Sequence, residues 1–228
     1  MHDVPIHTHL SPVKRYAYIV FSILALLCSC EDADDYRYPS VVTDYACLLT
    51  DAVGRPELLR LDNGDSHSVA FAKEYLEAHS DRGTYKADTV YRVACVYELT
   101  TDDKAYIYSL AQIISVVPTP LNRGEVLHQD PAYLQSSWLS GGYLNMVIEI
   151  KALEGKHAIG FVDTTPEGMN GKEFTFYHNA NNDIESYRQQ IYTSIPLAPF
   201  ESELQRGDTL RFVINQFDEG LTQREFVM

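Results

Sequence analysis

Basic residues are scarce in this 228-residue chain: 18 Lys and Arg stand against 32 Asp and Glu, a formal net charge of −14. Nucleic-acid binding relies on basic side chains that displace counterions from phosphates, so this balance argues against a nucleic-acid partner. Polybasic contact with an anionic membrane face is disfavoured for the same reason. Long apolar runs are also missing. The uncharged stretch Tyr16–Leu27 has twelve residues, short of the ~20 that a helix needs to cross a bilayer. The four cysteines have no metal-site spacing, and neither His-Glu-x-x-His nor Cys-x-x-Cys occurs, so no zinc signature is present. A Gly-x-Ser-x-Gly elbow and a glycine-rich phosphate loop are absent as well, which removes two common signatures of nucleophilic and nucleotide chemistry. Paired carboxylates for glycoside hydrolysis are assembled from distant strands, and no spacing here selects a pair. The expectation is a protein that is not an enzyme and that uses no metal and no cofactor.

What the chain does contain begins with a leader. Lys14 and Arg15 precede Tyr16–Leu27, and Leu27-Cys28-Ser29-Cys30 follows at once. Basic residues, a short apolar region and small residues at a cut are the order of a secretory signal. Leu27-Cys28-Ser29-Cys30 resembles the bacterial lipobox, which implies a signal peptide over residues 1–29 and a lipidated Cys30 as first mature residue. Glu31-Asp32-Ala33-Asp34-Asp35 then reads as part of an acidic tether over 30–40, extended by like-charge repulsion. Acidic residues directly after the lipidated cysteine also resemble those of surface lipoproteins of Bacteroidetes. The expected location is the outer membrane, lipid-anchored and surface-exposed. Only Cys47 and Cys95 remain after such a cut. Outside the cytoplasm a disulfide between them is allowed, and so are two buried thiols acting as small hydrophobes.

Beyond residue 40 almost every periodic segment has period two, the mark of half-buried strands. Leu144, Met146, Ile148 and Ile150 share one face, as do Leu210, Phe212 and Ile214. Five strands are expected before Pro118-Thr119-Pro120, at 41–50, 57–62, 67–72, 88–99 and 104–117. Six are expected after it, at 137–151, 156–163, 172–178, 185–195, 208–217 and 222–227. Phe71, Ala72, Tyr75, Leu76 and His79 recur at helical spacing, which predicts a short helix, and Asp130-Pro131 predicts the start of a single helical turn. The fold class is therefore all-β. A five-stranded OB-like barrel over 41–120 precedes an antiparallel β-sandwich over 121–228.

Two stretches carry a family resemblance. They are Trp138-Leu139-Ser140-Gly141-Gly142-Tyr143-Leu144-Asn145 and His178-Asn179-Ala180-Asn181-Asn182-Asp183, with Tyr187-Arg188 after the second. Together with the lipobox they resemble the NigD-like lipoproteins of Bacteroidetes. The resemblance implies an OB-like domain followed by a sandwich, and a bacteriocin-immunity role by way of the protein that names the family. It attaches no catalytic residues. Trp138 reads as an anchor at the domain junction, since lone aromatics mostly supply buried area, and Gly141-Gly142 as a bend or bulge. Asn179, Asn181, Asp183 and Glu185 only faintly resemble a calcium loop, which uses more carboxylates. His157 and His178 are expected to be structural. The expected function is a lipid-anchored, non-enzymatic envelope protein that holds a protein or peptide partner. The alternative is a glycan-binding surface lipoprotein, with Tyr91, Tyr97, Tyr106 and Tyr108 as the aromatics facing the ligand.

Overall fold

The computed structural model describes residues 40–73, 75 and 85–228. Cys30, the leader, most of the expected tether and most of the expected helix after Phe71 lie outside the described residues. Among the described residues, no helix is long and apolar enough to cross a membrane.

Five strands form the first half: β1 (Val42–Thr50), β2 (Pro56–Leu61), β3 (Ser66–Phe71), β4 (Val90–Leu99) and β5 (Lys104–Gln112). They close into a barrel in the order β1-β2-β3-β5-β4, with β4 pairing back onto β1. The β3–β5 pair is parallel, because β4, which separates them in the chain, pairs antiparallel with β5 and β1 and not with β3. This is the five-stranded, OB-like arrangement expected from the sequence. Alternation fills the interior with Ala46, Leu48, Leu59, Val93, Cys95, Tyr97, Ala105, Ile107 and Leu110.

The second half holds β6 (Ile114–Ser115), β7 (Tyr133–Ser140), β8 (Tyr143–Ala152), β9 (Ala158–Asp163), β10 (Gly171–Asn179), β11 (Tyr187–Pro196), β12 (Thr209–Gln216) and β13 (Gly220–Val227). One sheet runs β6-β11-β8-β7 and the other β13-β12-β10-β9. The pairs are antiparallel except β10–β12 and β6–β11. The first exception arises because β11, between β10 and β12 in the chain, belongs to the opposite sheet. Leu144, Met146, Ile148 and Ile150 face Phe174, Phe176, Leu210, Phe212 and Ile214 across one core. Each such side chain contributes roughly 1.5–3 kcal/mol on full burial. Barrel and sandwich belong to one compact unit, Val41–Met228.

Three local expectations are corrected. The stretch 137–151 is a hairpin, not one strand: β7 and β8 pair from Ser140↔Tyr143 back to Tyr133↔Glu149. Gly141 and Gly142 form its two-residue turn at φ +58° and +80°, the paired positive values of the turn that suits strand twist. The stretch 104–117 is also divided. β5 ends at Gln112, Ile113 is buried at 3 % exposure, and β6 already joins the sandwich. Asp130-Pro131 starts no helical turn; Asp130 lies outside any helix or strand, and its backbone N–H donates to the His178 carbonyl.

Candidate binding site

The outer face of β1 and β4 rests on the outer face of β8 and β11. Period two explains the composition of this interface. With Ala46 and Leu48 turned inward, Tyr45 and Cys47 turn outward; with Val93 and Cys95 inward, Arg92 turns outward. In an isolated barrel these side chains would meet water. Here Arg92 is 5 % exposed, and Asn145 and Ser194 on the facing sheet are fully buried.

A buried guanidinium needs several partners, and Arg92 has them. Its Nη1 and Nη2 donate to the two oxygens of Asp62 at 2.5 and 2.7 Å, the bidentate geometry that favours arginine. Nη2 also donates to Asn145 Oδ1 at 2.9 Å, which accepts from Ser194 Oγ at 2.7 Å as well. The guanidinium carbon stands 4.1 Å from the Tyr143 ring centre and 5.7 Å from that of Tyr45. Burial pushes the Arg92 pKa down, and the hydrogen bonds and charge of Asp62 more than offset it, so the net direction is up.

Ser140 closes the network. Its hydroxyl donates to Asp62 Oδ2 at 2.5 Å and accepts from Trp138 Nε1 at 3.1 Å and Asn145 Nδ2 at 2.9 Å. Trp138, Ser140, Tyr143 and Asn145 thus all belong to one clamp. Gly141 belongs too, because a Cβ there would run into the Asp62 carboxylate. Trp138 stands at the junction as expected, its ring meeting Tyr45 edge-on at 4.9 Å, but it is half-buried and also lines the cleft beside the clamp.

Beside the clamp lies an open cleft of about 680 Å³. Its walls include Asp44, Asp62 and Asp65, the rings of Tyr45, Tyr97, Trp138 and Tyr192, and the apolar groups of Leu61, Leu99 and Val147; among the described residues, no Lys, Arg or His lines it. Tyr97 donates to Asp44 Oδ2 at 3.0 Å. Burial, and then that bond, hold its hydroxyl well above the usual phenol range.

The four tyrosines proposed from sequence do not form one surface. Tyr97 is buried in the barrel with its hydroxyl at the cleft. Tyr91 packs against the same core, and its hydroxyl accepts from the Lys86 N–H. Tyr106 and Tyr108 lie on the outer wall of β5, in edge contact at 5.3 Å. Cys47 and Cys95 are free buried thiols. Cys47 is opposite Arg92 and Cys95 opposite Asp44, three positions along the ladder, so the wall separates them. Burial pushes the Cys95 thiol up to about 12. Sequence reading missed Asp62, Arg92, Asn145 and Ser194. The one signal was a charged residue, Arg92, in a strand apolar on both faces.

The second family stretch builds a separate chain at a sandwich end. Asp183 Oδ2 meets His157 Nε2 at 3.1 Å, His157 Nδ1 meets His178 Nε2 at 2.7 Å, and His178 Nδ1 meets the Asp130 carbonyl at 2.9 Å. Three hydrogen bonds need three ring protons on two imidazoles, so the pair carries one positive charge when all are made. Asp183 also accepts from the Leu153 and Ile184 N–H groups, and Asn181 Nδ2 donates to the Lys156 carbonyl. Backbone N–H groups therefore occupy both Asp183 oxygens and Asn179 Oδ1, and Lys151 Nζ meets Glu185 Oε2. Among the described residues, no cluster of His, Cys, Asp and Glu is arranged to hold a metal.

Comparison with known proteins agrees with this architecture. The family described as the NigD-like C-terminal beta sandwich domain matches residues 113–228. A NigD-like immunity protein from Bacteroides caccae is similar at 26 % identity and a TM-score of 0.67, covering 84 % of this chain and 99 % of that one. A protein provisionally named as toxin-related from Parabacteroides distasonis shares the fold at 18 % identity and a TM-score of 0.60, covering 82 % and 93 %. A provisionally named lipoprotein from Bacteroides fragilis shares it at 10 % identity and a TM-score of 0.53, covering 82 % and 96 %. No curated protein matches. With more than half of its length matched by the family, and with that family's barrel-and-sandwich relative aligned along most of the rest, the chain belongs to the NigD-like family.

Proposed function

We propose that this protein is a lipid-anchored, non-enzymatic binding protein of the bacterial cell envelope. It is held at the outer-membrane surface through Cys30 and acts in immunity against a bacteriocin by engaging a protein or peptide partner. The observation that carries the reading is the likeness to a NigD-like immunity protein over 84 % of this chain. The leader ending in Leu27-Cys28-Ser29-Cys30 supports the anchor. The rigid, polar-clamped junction beside an open cleft supports recognition over turnover: the Asp62 carboxylate is held by Arg92 and Ser140, and Asp183 by backbone N–H groups and His157.

The test is a gene deletion challenged with culture fluids from related strains that release bacteriocins. Deletion should increase killing by at least one fluid. The full chain should restore protection, and Cys30→Ala should not, while shifting the protein out of the membrane fraction. Equal killing of deleted and parent cells across the panel would refute immunity. Unchanged membrane attachment of Cys30→Ala would refute the anchor.

A further inference from the structure

The junction contains its own example of how it recognises a cation. Arg92 lies against the Tyr143 ring, within reach of Tyr45, and is paired bidentately with a carboxylate. The neighbouring cleft repeats these elements without the cation. Its aromatic walls are Tyr45, Tyr97, Trp138 and Tyr192, and its carboxylates Asp44 and Asp65 have no cationic partner among the described residues. Asp62, the third carboxylate, is already neutralised by Arg92 from behind the wall.

From this match we propose that the junction cleft binds arginine or lysine side chains presented by a polypeptide partner. The inference deepens the binding role proposed above and rests on it for the partner being a polypeptide. The volume of about 680 Å³ is in the ~300–1,000 Å³ range of ligand sites, enough for a short peptide segment. Long cationic side chains bury an aliphatic stem and keep a charged head. Leu61, Leu99 and Val147 supply apolar wall for the stem, and the rings and carboxylates supply contacts for the head. Cations over aromatic faces are attracted by the ring quadrupole. The net charge of −14 adds a long-range field that speeds approach of a basic partner.

Trp138 is the only tryptophan and it lines the cleft, so its emission reports on this site alone. The full chain in detergent micelles is titrated with blocked triarginine, triglutamate and triglycine peptides and with maltohexaose, with calorimetry in parallel. Triarginine should give a saturable change in Trp138 emission that weakens with salt. Asp44→Asn with Asp65→Asn should lower its affinity about tenfold, the equivalent of ~1.4 kcal/mol. Asp65→Asn alone, at an exposed position, should lower it less and leaves the Tyr97–Asp44 bond untouched. The proposal is overturned by absence of both emission change and heat, by an equal response to triglycine, by unchanged affinity in the double variant, or by a response to maltohexaose alone. Binding of triarginine by a chain that fails to protect cells keeps this site and removes immunity. Protection by a chain indifferent to triarginine removes this site and keeps immunity.

Discussion

Removing the Asp62 carboxylate by Asp62→Ala should destabilise the fold by about 3–5 kcal/mol, the range for stranding a buried charge. The geometry places the pair in that range. The Arg92 side chain is 2 % exposed and that of Asp62 16 %, whereas exposed pairs contribute only about 0–1 kcal/mol. Alanine would leave a guanidinium with Asn145 and Ser194 but without its counter-charge, and would also strip the Ser140 hydroxyl of its acceptor. For a unit of this size each kcal/mol moves Tm by roughly 2–4 °C, so the midpoint should fall by roughly 6–20 °C. Arg92→Met alone should also destabilise, since it leaves the carboxylate facing a dry wall. The double variant removes both charges and should be less damaged than the two single costs added together, by about 0.5–3 kcal/mol of coupling. Urea denaturation followed by Trp138 emission measures all four proteins. An Asp62→Ala cost below about 1 kcal/mol, or strict additivity in the cycle, would refute the view that Asp62 and Arg92 form a buried, coupled charge pair at the junction.

Gly141→Ala and Gly142→Ala both place alanine at positive φ, and only Gly141 faces Asp62 at the position its Cβ would take. Gly141→Ala should therefore lower the urea midpoint more than Gly142→Ala, and equal costs would contradict the clamp. Cys47 and Cys95 should stay unlabelled by iodoacetamide in the folded protein and both react in urea without reductant; failure to label in urea would indicate a bond between them. Acid should loosen the His157–His178 end first. The Leu153 N–H, then His157 and further backbone donors, hold the Asp183 carboxyl well below its usual range against the opposing effect of burial. Burial holds His178 below its ordinary ~6.5. Both groups have depressed folded values, so the unfolded chain takes up their protons first. Their stabilisation is complete above about pH 6.5 and declines as pH falls through the His178 and then the Asp183 folded values. Hydrogen exchange should show the Asp130 and His178 amides, in the bonds around the His178 ring, losing protection at pH 4.5 ahead of the β8 core, while the Leu153 amide, held by the still-ionised Asp183 carboxylate, loses it only at lower pH; uniform loss would count against this order.

Much of the architecture is legible from period two alone. The faces set by Leu144–Ile150 and Leu210–Ile214 are the core faces observed, and the barrel strands fall within two residues of their expected starts. The β7–β8 hairpin is hidden because Gly141-Gly142 reads as a bend or bulge inside one strand from 137 to 151, whereas it is a two-residue turn. The register shifts between Leu134 and Ser136, so the inward set passes from Leu134 to Leu139, then returns through the two-residue turn to Leu144. The bulge and the turn each switch the phase, so Leu134, Leu139 and Leu144 all face the same core at odd-numbered steps. The clamp was illegible for a different reason. Arg92 meets Asp62, Asn145 and Ser194 across 30, 53 and 102 residues, and only strand register and the docking of barrel on sandwich bring them together. The same register decides the thiols: Cys47 and Cys95 are both strand cysteines, and nothing local tells which face of the wall each takes.

The clamp also constrains where specificity can reside. A serine hydroxyl offers one donor and two acceptor positions, and Ser140 uses all three inside the network. Trp138 Nε1 has a single proton, already given to Ser140. Asn145 binds through both its oxygen and its nitrogen. The residues that carry the sequence resemblance, Trp138, Ser140 and Asn145, therefore keep almost no polar capacity for a ligand; what they supply is a fixed wall. A wall held by bidentate and buried hydrogen bonds loses little freedom when a partner arrives, and ordering costs of roughly 0.5–1.5 kcal/mol per flexible side chain are the costs such preorganisation reduces. Discrimination then falls to groups outside the motif, Asp44, Asp65, Tyr97 and Tyr192, which line the cleft but take no part in the clamp. With the proposed tether raising the local concentration of cleft and target at one membrane, even a modest affinity at those groups would hold a partner.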